Sequence, residues 1–193
     1  MKNLSVSTDG GKTWKAIAEK AGGMGCIVAF ADAKTGWFGF GAKFQMTTDA
    51  GATWKDLPLP KDVSKVAAVS LRTRKVGYLL DANGILYITK NAGKTWSSRP
   101  LGLGALKILG FSTAAFINEI PQAAVRFTDA NHGLIALGLS GKTGMIALRT
   151  ADGGYTWKEE TLPATLGTPY ISRDGKFLTV NQWGKGVTLL KYE

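Results

Sequence analysis

The sequence predicts an all-β fold, a β-propeller of about four four-stranded antiparallel blades, and three observations carry that expectation. An octapeptide box, STDGGKTW at residues 7–14, returns as TTDAGATW (47–54), TKNAGKTW (89–96) and TADGGYTW (150–157). Its acid or amide recurs at a near-constant spacing: Asp9, Asp49 and Asn91 lie 40 and 42 residues apart, and Asp152 follows 61 residues later. A fixed period of this size marks a repeat array. Between boxes lie short apolar runs separated by polar or glycine-rich turns, which together with the strand after each box give four-stranded units, the sequence pattern of propeller blades.

Each box reads as strand, tight turn, strand. The Asx side chain bonds nearby backbone N–H groups, and Gly11, Gly51, Gly93 and Gly154 supply positive φ. The closing Thr-Trp pair is strand chemistry, with Trp14, Trp54, Trp96 and Trp157 as anchors between stacked sheets, each expected to bury ~150–250 Å². Asp9, Asp49 and Asp152 look like metal-loop acids. Asn91 fills the same place, however, and no second carboxylate recurs beside the box as a calcium loop requires. A local side-chain-to-backbone role is expected, with no metal and no cofactor.

With the boxes as turns between third and fourth strands, units run over about 22–60, 61–100 and 101–163. The excess length of the last is LGLGALKILGFSTAAFINEIPQ (101–122), too apolar for a free loop. It reads either as an extended strand or hairpin across the propeller face, or as a docking element exposing Phe111 and Phe116. The ends are incomplete in opposite senses. The chain opens on a third and fourth strand, LSVSTDGGKTWKAI, and closes on 164–193 with a first, a second and a third. Completion of 164–193 by 1–18 would remove exposed sheet edges, although the third strand is then claimed twice. Two arrangements stay open: a ring closed by shared termini, or an open portion of a larger propeller that self-associates through its blade edges.

The pattern S/T-x-D-x-G-x-T-W resembles the Asp-box, the bacterial neuraminidase repeat of sialidases, sortilin-type receptors and related propellers. A second motif, FADAKTGW (30–37), LRTRKVGY (71–78) and FTDANHGL (127–134), each followed by its box, looks like the repeats of photosystem II assembly and stability factor-like proteins. The resemblance spans nearly the whole chain. It implies a propeller used as a binding or assembly scaffold, and it leans toward a periplasmic or extracellular setting. One fold hosts many activities, so the site must be argued from residues.

Composition bounds the function further. The 193 residues are 45% hydrophobic with 25 glycines, which fits one turn-dense domain with a proper core. No apolar run is long enough to span a membrane, and the start, MKNLSVSTDGG, lacks a signal-peptide pattern. A single cysteine, Cys26, at the head of CIVAF, reads as a buried small hydrophobe. The one histidine, His132, reads as a solvated turn residue. A net charge of +10 points to an acidic partner or anionic surface, but the basic residues are scattered and match no nucleic-acid module, so no specific nucleic-acid binding is expected.

Strands alternate in direction, so blade-to-blade loops lie on the face opposite the boxes, and sialidase-like enzymes use that face. The residues read there as a binding surface for a protein or anionic ligand are Lys61, Lys65, Asp81, Arg99, Glu119, Lys142 and Trp183. No catalytic residue is assigned. Of six arginines, Arg72, Arg74, Arg126, Arg149 and Arg173 fall on strands or box-side turns, so the sialidase arginine triad cannot be assembled. Glycoside hydrolysis would otherwise need two carboxylates facing each other across a cleft, and Asp62, Asp81 and Glu119 are the loop acids for that role. The reading is a non-catalytic binding or assembly scaffold; the alternative is a glycoside hydrolase of the sialidase superfamily.

Overall fold

The computed structural model describes residues 4–18, 27–40, 43–63, 65–108, 122–140, 144–182 and 186–192, and among these it contains strands and turns but no helix. The first blade consists of β3 (Ile27–Phe30), β4 (Gly36–Phe40), β5 (Lys43–Thr47) and β6 (Lys55–Asp56). The second consists of β7 (Val66–Leu71), β8 (Gly77–Asp81), β9 (Ile85–Thr89) and β10 (Ser97–Pro100). β11 (Ala123–Phe127), β12 (Gly133–Gly138), β13 (Gly144–Thr150) and β14 (Lys158–Thr165) form the third. The fourth has three strands, β15 (Thr168–Ile171), β16 (Phe177–Gln182) and β17 (Gly186–Lys191). Each blade is an antiparallel meander, and the four are arranged as a propeller.

Residues 4–18 form a separate hairpin, β1 (Leu4–Val6) and β2 (Lys15–Ala18). Among the described residues β1 pairs with β2 and β17 pairs with β16. The hairpin's Trp14 is 67% exposed, whereas Trp54, Trp96 and Trp157 are half-buried.

Alternation within each strand decides the packing, because successive side chains point to opposite faces. In β4, Trp37 faces blade 2 and lies 5.6 Å from Trp96 and 5.3 Å from Phe44, while Phe38 faces the other way onto Trp54 at 5.8 Å. At the next junction Tyr78 and Phe127 stack with centroids 4.0 Å apart and planes at 4°. Three apolar clusters result, one at each junction between consecutive blades. Each fully buried Leu or Phe in them contributes about 1.5–3 kcal/mol.

Each box occupies the turn between third and fourth strands. In box 2, Thr47 Oγ1 accepts from Gly51 N–H at 2.8 Å and donates to Asp49 Oδ1 at 2.8 Å, and Asp49 accepts from Thr53 N–H at 2.9 Å and from its hydroxyl at 2.5 Å. These bonds hold Asp9 and Asp49 near a pKa of about 2, chiefly through the hydroxyl of the threonine four residues on, and they hold Asp152 lower still. Two consecutive positive-φ residues make the turn, and the second is glycine in every box, with φ of 90°, 88°, 85° and 91°.

The described part of 101–122 spans the ends of blades 2 and 3. Leu101 N–H donates to Gly84 O, Ile108 N–H to Ala82 O, and Ile108 bridges Leu139, so Leu101 and Ile108 are buried. Phe111, Phe116 and Cys26 lie outside the described residues.

Candidate functional site

The inner strands β3, β7, β11 and β15 face the propeller axis and line a half-open space of about 520 Å³. Its wall is mostly small and apolar, from Ala29, Ala67, Ala68 and Ala123, which is what leaves room at the centre. The polar groups in it are Ser70, Arg126, Thr168, Tyr170 and Arg173, and no Asp or Glu lines it. Two of these polar atoms, Ser70 Oγ and Arg126 Nε, are buried and have no hydrogen-bond partner among the described residues. Ser70 is 2% exposed. An unpaired buried donor is costly, by about 1–3 kcal/mol, and such groups gather where a ligand or water completes them.

Arg126 also borders a second space of about 290 Å³, between blades 3 and 4 at the box end, with Arg149, Lys176, His132 and Asp174 around it. Parity explains the shared position. Val125 and Phe127 face blade 2, so Arg126 between them faces blade 4. Burial lowers its pKa from the ordinary arginine value; the nearby Tyr170 opposes that shift and the charge of Arg173 adds to it. Arg149 stacks on Tyr192, 5.1 Å from the ring centroid. His132 sits in the β11–β12 turn with Nδ1 2.8 Å from Asp129 Oδ2, and the bonds that Asp129 accepts, first from the His132 backbone, hold it at about 2.

Box-side inner turns are also tied across blades. Arg74 Nε donates to Asp32 Oδ2 at 2.6 Å, linking blade 2 to blade 1, and this bond draws Asp32 well below the usual carboxylate range. Arg173 Nη2 donates to Ala31 O at 3.1 Å, linking blade 4 to blade 1.

The residues expected on the opposite face are separated by the structure. Lys61 and Lys65 are exposed on the loop entering blade 2, and Lys61 borders a groove of about 360 Å³ with Asp62 and Pro60. Asp81 reaches the same end but is fully buried, where its Oδ1 accepts from Asn83 N–H at 3.0 Å and Ile85 N–H at 2.8 Å. Burial raises its pKa against those bonds. Arg99 turns its guanidinium to the fourth box, donating to Gly153 O and lying 3.7 Å over the Tyr155 ring. Glu119, Lys142 and Trp183 lie outside the described residues. Sequence reasoning passed over Arg126, Arg173, Ser70 and Tyr170. The available signal was a charge and a hydroxyl inside otherwise apolar inner strands, AAVRF and VAAVSL.

Among known proteins, the BNR/Asp-box repeat profile matches residues 5–16. No curated protein matches the sequence. Among solved structures, the chain superposes on YCF48 from Cyanidioschyzon merolae with a TM-score of 0.63 at 18% identity, over 99% of this chain and 63% of that one. A structure described as YCF48 bound to D1 peptide gives 0.54 at 18%, over 86% and 55%. A GH74 enzyme from Niastella koreensis gives 0.56 at 17%, over 86% and 28%. The chain thus spans less than two thirds of the length of these structures. Identities this low establish the fold alone, a β-propeller, here of four blades, and the family model matches one Asp-box within the chain.

Proposed function

We propose that the chain is a non-catalytic binding scaffold whose axial space, with the cleft beside Arg126, takes an acidic segment of another protein. The observation that carries this reading is a cavity bordered by Arg126 and Arg173, with no carboxylate in its wall and two buried donors left unpaired. A carboxylate entering it would gain charge-assisted bonds in a partly dehydrated setting, where they are strongest. A structurally similar propeller described as binding a peptide supports the same use of the fold. Glycoside hydrolysis draws less support, because Asp81 spends its carboxylate on its own turn.

The test is fluorescence anisotropy with a labelled glutamate-rich peptide and a lysine-rich control. Binding of the acidic peptide is expected to weaken with salt, and Arg126→Gln is expected to weaken it at least tenfold, about 1.4 kcal/mol, with Lys61→Ala near wild type. Loss on Lys61→Ala with Arg126→Gln unchanged would move the site to the face opposite the boxes. Equal binding of both peptides would sink the reading.

A further inference from the structure

The face that blade 3 turns to blade 4 changes character at its box end. Further along the strands it is apolar, where Ala136, Ala147 and Leu162 share a cluster with Leu178 and Val180. One cross-strand row then carries Arg126, Leu134, Arg149 and Lys158, each paired with the next. Opposite this row lies the β15–β16 turn of blade 4. A Cβ on its Gly175 would lie 2.7 Å from Thr128 Cγ2, so the turn sits directly on blade 3 and brings Lys176 to the cleft of about 290 Å³ between them.

Cations therefore border this cleft on three sides: Arg126 next to the axis, Arg149 two strands further out, and Lys176 from the next blade. The fold supplies little to neutralise them there. Asp174, the carboxylate in the wall among the described residues, is spent on its own turn, accepting from the Ser172 hydroxyl at 2.6 Å and from Lys176 N–H at 3.1 Å. Glu159 and Glu160 border Arg149 from a neighbouring space and do not line the cleft. Arg126 Nε has no hydrogen-bond partner among the described residues. Burial, and then the charge of Arg173, work against its ionised form, and an anion beside it would offset both.

Size and geometry decide which anion fits. Pockets that take a whole small molecule begin at about 300 Å³, so this cleft suits one side-chain headgroup rather than a length of backbone. A carboxylate offers two coplanar oxygens, which a single guanidinium fork satisfies. A phosphomonoester carries a charge of about −1.5 to −2 at neutral pH and spreads three acceptor oxygens tetrahedrally, so it can meet cations arriving from three directions. We propose that the cleft is a subsite for a phosphorylated side chain of the acidic segment, held by Arg126, Arg149 and Lys176. The subsite rests on the proposed use of the axial space: Arg126 borders both spaces, so a segment lying along the axis can turn one residue into the cleft.

Fluorescence anisotropy at fixed ionic strength tests this with the glutamate-rich peptide, a set in which phosphoserine replaces each glutamate in turn, and a peptide with one more glutamate to match the charge. At least one phosphoserine position is expected to bind about tenfold tighter than the charge-matched peptide, as new charge-assisted bonds form. Arg149→Gln and Lys176→Gln alter exposed side chains, so both should melt as wild type while bringing that ratio close to one, whatever they do to either affinity. Lys158→Gln, in the same row but bordering the neighbouring space, should keep the ratio. Free O-phosphoserine is expected to compete weakly. Glutamate peptides that bind, with no phosphoserine position gaining on the charge-matched peptide, overturn the subsite and leave the scaffold reading standing. A phosphopeptide that binds through Arg149 and Lys176 while the glutamate peptides do not supports the subsite and removes that reading; no binding by any peptide overturns both. A ratio lowered as much by Lys158→Gln as by Arg149→Gln reports bulk charge and overturns the subsite. Free O-phosphoserine competing as tightly as the phosphopeptide would assign the cleft to a free phosphate ester, against the proposal.

Discussion

Asn91 shows why the box tolerates an amide in place of an acid. Its Oδ1 accepts from Thr95 N–H at 2.9 Å, as Asp49 accepts from Thr53 N–H, but its Nδ2 donates to Thr95 Oγ1 at 2.8 Å, whereas at Asp49 the threonine hydroxyl is the donor. Rotation of one hydroxyl reverses the bond and preserves the turn. Asp49→Asn should therefore fold normally, and its pH dependence should differ. The folded pKa of Asp49, about 2, lies below its ordinary 3.8, so the fold favours the ionised form. That contribution is complete above pH 3.8 and is lost as pH falls toward 2. Melting midpoints of wild type and Asp49→Asn should therefore diverge most near neutrality and converge on acidification; a constant difference would show that the ionised form is not favoured. Thr47 is the more demanding position, being 1% exposed and the acceptor for the buried Gly51 N–H. Thr47→Ala is expected to cost about 1–3 kcal/mol by leaving that donor unpaired, a larger loss in a denaturant titration than Asp49→Ala, whose freed donor at Thr53 is exposed to water.

The junction between blades 1 and 2 depends on glycine at the start of β8. A Cβ on Gly77 would lie 2.1 and 2.5 Å from atoms of Trp37 in the preceding blade, and Trp37 is fully buried with no space to retreat. Gly77→Ala should destabilise the chain by about 1–3 kcal/mol through overpacking, read as a lower denaturant midpoint; an unchanged midpoint would mean that the junction is looser than its contacts imply. This element was legible in the sequence, because FADAKTGW and LRTRKVGY place Gly before an aromatic after a polar turn, and the strands follow from that spacing. The site was much less so. Arg126 was expected on a strand or a box-side turn and lies in β11, but a place in a strand gives only which of two faces a side chain takes. That this face borders an axial space depends on how four sheets meet, which local periodicity does not encode. Arg99 misled for the same reason: its place in the chain is at the end opposite the boxes, yet its long side chain reaches the box of the next blade.

At the scale of the whole molecule, the apolar packing described among the blades lies between residues 27 and 192. Among the described side chains all three apolar clusters draw on that span, and residues 5–16 contribute to none of them. The β1–β2 hairpin carries a complete box, with Asp9 accepting from Thr13 and Trp14 Nε1 donating to Gly11 O at 3.1 Å, so it can hold its own turn without support. Its indole stays mostly in water. A chain lacking residues 1–18 is therefore expected to melt within about 2 °C of the full chain, since a shift of that size corresponds to less than about 1 kcal/mol in a domain of this length. If the hairpin instead completed blade 4, its removal would uncover the β17 edge and lower the midpoint by about 5 °C or more.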